Sequence, residues 1–89
     1  MNGYVLQLGA FRERGRAESL LKQFSDRGWE GFVEKILLSP GETAYRVRFG
    51  PYAELLVAQQ MAQEILQKSG YQALIMPFLA SRESGGEPS

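Results

Sequence analysis

Gln7, Arg46 and Arg48 are the residues of this sequence whose types and spacing could do chemistry. Gln7 stands in Val5-Leu6-Gln7-Leu8-Gly9-Ala10-Phe11. The two arginines stand in Arg46-Val47-Arg48-Phe49-Gly50-Pro51-Tyr52, which aligns with the first segment at an offset of 46 − 5 = 41 residues and lays Gln7 over Arg48. If the segments are neighbouring strands, an amide that donates and accepts hydrogen bonds lies beside a guanidinium fork. Such a pair can recognise carboxylates, amides and hydroxyls, and polar side chains are also ordinary on any solvent-facing sheet. Arg46 widens the basic strip, and Phe32 and Leu74 would flank it with apolar surface. Apolar groups beside hydrogen-bonding ones suit a sugar ring, and they suit a nucleobase equally well.

Hydrolytic chemistry finds little support. The 89 residues include no His and no Cys, which removes thiol nucleophiles, imidazole acid–base catalysis and soft metal sites. Carboxylates remain. Glu30 and Glu34 are the pair expected on the same face as Gln7, and four residues along a strand separates them by roughly 13 Å. A glycosidase pair lies roughly 5–9.5 Å apart, so these two read as solubilising charges on an edge strand. Glu13, Glu18, Asp26, Glu54 and Glu64 fall on or beside helices. No phosphate-loop pattern surrounds Gly9 or Gly50, which read as strand-to-helix turns. Ten basic and ten acidic side chains cancel, so the chain lacks the positive field of a general nucleic-acid binder.

The elements that must position Gln7 and the arginines follow from the same repeat. It runs on through Ala17 over Ala58 and closes with Gly28-Trp29 over Gly70-Tyr71 after one inserted residue. Each copy reads as strand, helix, strand. Tyr4, Leu6 and Leu8 alternate with Val5, Gln7 and Gly9, the period of a half-buried strand. Ala17, Leu20, Leu21 and Phe24 form one apolar stripe on a helix from about Gly15 to Arg27, which Gly28 ends. A second strand runs from Trp29 to about Leu37, with Trp29, Gly31 and Val33 inward and Glu30, Phe32 and Glu34 on the open face. Ser39-Pro40-Gly41-Glu42 has the residues of a type II turn. A third strand, about Ala44 to Phe49, points Tyr45, Val47 and Phe49 inward and Arg46 and Arg48 outward. Ala58, Met61, Ala62 and Ile65 repeat the helical stripe up to Gly70, and a fourth strand, Tyr71 to Met76, stops at Pro77.

Two such units predict an α+β, ferredoxin-like βαββαβ domain, a four-stranded antiparallel sheet with two helices on one face. Its central strands are the first and third, which sets Gln7 beside Arg48, both solvent-exposed on the uncovered face. The domain is expected over residues 1–80, and 81–89 as a disordered polar tail.

The two strand motifs, VLQLGAF from Val5 and YRVRFGPY from Tyr45, strongly resemble the SPOR (sporulation-related repeat) domain family over about Gly3 to Pro77. The resemblance implies a non-catalytic cell-envelope module that binds peptidoglycan on its open sheet face, in particular glycan strands stripped of stem peptides at the division septum. It implies Gln7, Arg46 and Arg48 as glycan-binding residues. It adds Ala10, at a position where several glycan-binding members carry serine. Trp29 aligns with an inward position, so Phe32 and Leu74 are the apolar flank expected against the sugar. No cofactor is implied. The expected setting is the periplasm or cell envelope, within a larger exported or membrane-anchored protein. This fragment would be monomeric and would bind no nucleic acid, and no membrane contact is expected of it, because no stretch approaches a membrane span; Met1-Asn2-Gly3 is no export signal. An RNA-recognition-like module and a protein–protein module on the same fold are the alternatives.

Overall fold

A computed structural model describes residues 2–79, and the predicted tail at 81–89 lies outside the described residues. The elements run β1 (Asn2–Phe11), α1 (Arg14–Ser25), β2 (Gly31–Ser39), β3 (Glu42–Tyr52), α2 (Leu55–Ser69) and β4 (Leu74–Leu79). The strands form one antiparallel sheet in the order β2-β3-β1-β4. This is the predicted βαββαβ arrangement, with the two motif strands central.

The core is built where the repeat predicts. Leu6, Val47 and Phe49 from the sheet meet Ala17, Leu20 and Phe24 from α1 and Ala58 and Ile65 from α2. The Phe24 and Phe49 rings lie 5.4 Å apart, inclined at 57°, within the range of favourable aromatic pairs. Both helix-ending glycines are left-handed, Gly28 at φ 93° and Gly70 at φ 82°. After α1 the Gly28 N–H bonds to Ser25 O and the Trp29 N–H to Phe24 O, the paired reverse bonds that satisfy a helix's last carbonyls. In the β2–β3 hairpin Gly41 takes φ 82°, as the third residue of a type II turn must.

Several features differ from expectation. Gly9 and Gly50, read as strand-to-helix turns, lie inside strands, because β1 runs on to Phe11 and β3 runs from Glu42 through Gly50-Pro51 to Tyr52. β2 begins at Gly31, so Glu30 precedes the strand and does not join its open-face row. The close pairing of Gly31 with Phe49 sets this start: a Cβ on Gly31 would lie 2.6 Å from both the Phe49 ring and the Arg48 carbonyl. β4 begins at Leu74 and runs through Pro77 to Leu79. Proline is tolerated there because β4 is an edge strand, one side of which needs no donor. Tyr71, ahead of the strand, packs edge-on against Phe24 at 5.6 Å.

A further difference bears directly on the site. β1 pairs Gln7 with Arg48, then Gly9 with Val47 and Ala10 with Arg46, so Leu8 is an extra residue in the ladder. Strict alternation would put Gly9 on the open face with Gln7. The bulge instead turns Gly9 inward, where a Cβ would meet the Phe11 ring at 3.3 Å and Leu20 at 3.9 Å. Ala10 is thereby delivered to the exposed face beside Arg46.

Candidate functional site

Cross-strand partners share a face of a sheet, and the register therefore lays out the open surface in rows. One row crosses all four strands as Phe32, Arg48, Gln7 and Leu74. The next holds Glu34, Arg46 and Ala10. On the other side of the first row, Val5 pairs with Met76. All six residues expected at the site, Gln7, Ala10, Phe32, Arg46, Arg48 and Leu74, thus lie on one surface in two adjacent rows.

Their environments are far from equal. Leu74 is 60% exposed, Ala10 is exposed, and Phe32, Gln7 and Arg46 are half-buried. Arg48 is not the exposed side chain that its alternation predicts, because only 7% of its surface is accessible. Three neighbours account for that. Its Nε–H donates to Gln7 Oε1 at 3.2 Å, Nη1 lies 2.8 Å from Glu34 Oε1, and Nη2 approaches Met76 Sδ at 3.8 Å. The Glu34 contact is an ion pair whose N–H does not aim along the line of centres, so Oε1 is buried without an aligned donor. Val5 is completely buried although it belongs to this face.

Burial pushes the Arg48 guanidinium below its ordinary pKa. The Glu34 carboxylate pulls it back up, and the like charge of Arg46 lowers it further. Arginine starts so high that the group stays charged throughout the physiological range. Arg46 differs: among the described residues it has no ion-pair or hydrogen-bond partner. Glu34, directly opposite it across the ladder, reaches diagonally to Arg48 instead. Glu34 and Met76 are the Arg48 neighbours that sequence reasoning missed. Glu34 was legible as an open-face carboxylate, but its partner depends on a diagonal contact, and Met76 arrives from a strand 28 residues away.

A cleft of about 560 Å³ lies on the helix side, lined among others by Phe11, Glu13, Arg16, Leu20 and Tyr71. None of the six site residues borders it. Among the described residues no cluster of acidic side chains could hold a metal ion, and no helix is long and apolar enough to cross a membrane.

The fold, the two strand motifs and the amide–guanidinium pair at the sheet centre define a class, and the family comparison agrees. The chain belongs to the SPOR domain family, whose profile matches residues 1–77. Three solved structures are similar. A Burkholderia pseudomallei K96243 protein assigned as exported superposes with a TM-score of 0.73 at 18% identity, over 85% of this chain and 16% of that one. The RlpA SPOR domain of Pseudomonas aeruginosa gives 0.69 at 24%, over 83% of this chain and 97% of its own. The peptidoglycan-binding domain of the B. subtilis cell wall lytic enzyme CwlC gives 0.67 at 25%, over 89% and 92%. The chain therefore spans a small part of the first protein and nearly all of the other two domains. No curated protein sequence matches it.

Proposed function

We propose that this domain binds peptidoglycan through its open sheet face, as a monomer, and that it prefers glycan strands stripped of their stem peptides, as found at a bacterial division septum. The observation that carries the reading is the uncommitted guanidinium of Arg46, set beside exposed Ala10 and one row from Gln7, Phe32 and Leu74. A stripped strand exposes lactyl carboxylates, which in the intact polymer are consumed in amide bonds. A free guanidinium can meet such a carboxylate with charge-assisted hydrogen bonds, and the apolar flank can take a sugar ring's face. Arg46 is the arginine for this contact, because Arg48 is already paired.

Family membership and the peptidoglycan-binding CwlC domain support the polymer as ligand. The same comparisons support a setting in the cell envelope or periplasm, with the domain as one part of a longer protein. The side chains support binding without cleavage: the sequence has neither His nor Cys, and Glu34 is held by Arg48.

A pull-down on purified sacculi tests the reading. Amidase-treated sacculi should retain more of the domain than untreated ones, and Arg46→Ala should abolish the difference. Binding should weaken modestly with salt, as for one or two ion pairs. Tight binding to oligo-RNA with a steep salt dependence and no preference for treated sacculi would overturn it.

A further inference from the structure

The contact between Arg48 and Gln7 has a directional consequence. Arginine Nε carries a proton and no free lone pair, so the Gln7 atom facing it at 3.2 Å must be the carbonyl oxygen. The Nε2 amino group, with two N–H bonds, is turned away, and among the described residues it has no acceptor. Glu34 Oε1 is likewise drawn onto Arg48, which leaves the opposite arginine free. Arg48 thus draws in one oxygen of Gln7 and one of Glu34 at the centre of the face.

We infer that Arg48 is a positioning residue that leaves Gln7 Nε2 and the Arg46 guanidinium as a pair of outward donors, so that the face selects ligands presenting acceptor oxygens. The inference rests on the glycan reading only for the polymer's identity. In a stripped glycan two oxygens have the required chemistry, the lactyl carboxylate and the acetamido carbonyl. Arg46 and Arg48 lie two residues apart on one strand, about 7 Å, and Gln7 lies directly across from Arg48. Two acceptors at about that separation would satisfy the face.

Gln7→Glu tests the assignment without removing the internal contact. A carboxylate still accepts from Arg48, and more strongly, so the melting temperature should hold or rise. What it shows the ligand is now an acceptor, and binding to amidase-treated sacculi should fall about tenfold or more, that is by about 1.4 kcal/mol or more. Gln7→Glu binding within about twofold of the wild type overturns the inference. Arg48→Lys keeps the charge but cannot bridge both oxygens, and should weaken binding. Combined with Gln7→Ala it should weaken binding by less than the sum of the two single losses, since Arg48 acts in part through Gln7; fully additive losses would mean that Arg48 does not act through Gln7, and would overturn it. Two modified polymers separate the acceptors. N-deacetylated glycan removes the acetamido carbonyl, and amidated glycan removes the lactyl carboxylate. At least one should bind more weakly, and undiminished binding to both refutes the acceptor requirement. The ligand-free protein offers an independent measurement by NMR. The Arg48 Nε–H should exchange with water far more slowly than that of exposed Arg27, and equal rates would refute the lock. Should the wild type fail to bind treated sacculi, the glycan reading falls, and the exchange rates with the Gln7→Glu melting temperature still decide the Arg48–Gln7 assignment.

Discussion

On the face that carries α1 and α2, Leu6, Val47 and Phe49 are sealed from water by aliphatic and aromatic side chains. On the other face Val5 and Arg48 are just as inaccessible, yet what surrounds Arg48 is an amide oxygen, a carboxylate and a thioether. Apolar burial is non-directional and tolerates any shape that fills space. The polar cluster is directional, because each contact fixes the orientation of the group that makes it. The difference teaches why one sheet can serve as scaffold and as reader. The helix side supplies stability, and the open side spends little of it while holding a few polar atoms at defined angles.

Substitutions on the two sides should separate these roles. Phe49→Ala removes a ring that packs on Phe24 and, at 6.4 Å, on Trp29, and should cost about 3–5 kcal/mol, read as a large drop in denaturant midpoint. Gly31→Ala drives a methyl to 2.6 Å from the same ring and from the Arg48 backbone. Overpacking of this kind should cost about 1–3 kcal/mol, and a loss below about 0.5 kcal/mol would show that β2 shifts freely. Arg48→Met keeps much of the volume and removes the pairing. Glu34 is 40% exposed and can turn to water, so the loss should be about 1–2 kcal/mol, accompanied by weaker glycan retention. Arg46→Ala sharpens the contrast most: stability should stay within about 0.5 kcal/mol while the preference for amidase-treated sacculi is lost. A stability loss for Arg46→Ala as large as for Arg48→Met would erase the distinction between the two arginines.

The parts of the fold that were legible in the sequence are those whose cause is local. Period-two strands, the stripes through Ala17 and Ala58, the left-handed glycines and the Pro40-Gly41 turn each depend on a few adjacent residues. The repeat added the one non-local fact needed, that Gln7 and Arg48 are neighbours. The start of β2 was missed because it depends on how closely Gly31 approaches Phe49, and the course of β4 because Pro77 breaks a strand only when both of its sides are paired. The bulge at Leu8 left no trace in hydrophobicity, since Gly9 and Ala10 are too small to declare a side. For the site, placement was legible and commitment was not. Arg48 and Arg46 look alike along β3, and only a diagonal carboxylate and a methionine from β4 make one of them part of the protein's interior.

That bulge also divides what the chain can afford to vary. Gly9 faces the Phe11 ring, which would have to give by a few tenths of an ångström to admit a methyl, whereas its neighbour Ala10 projects into solvent beside an unpaired cation. A hydroxyl added at position 10 would touch nothing the fold depends on and would enlarge the set of groups offered to a ligand. One residue inserted in a ladder has left, next to a tightly packed position, an adjustable one, where binding strength can be tuned by mutation at almost no cost to folding.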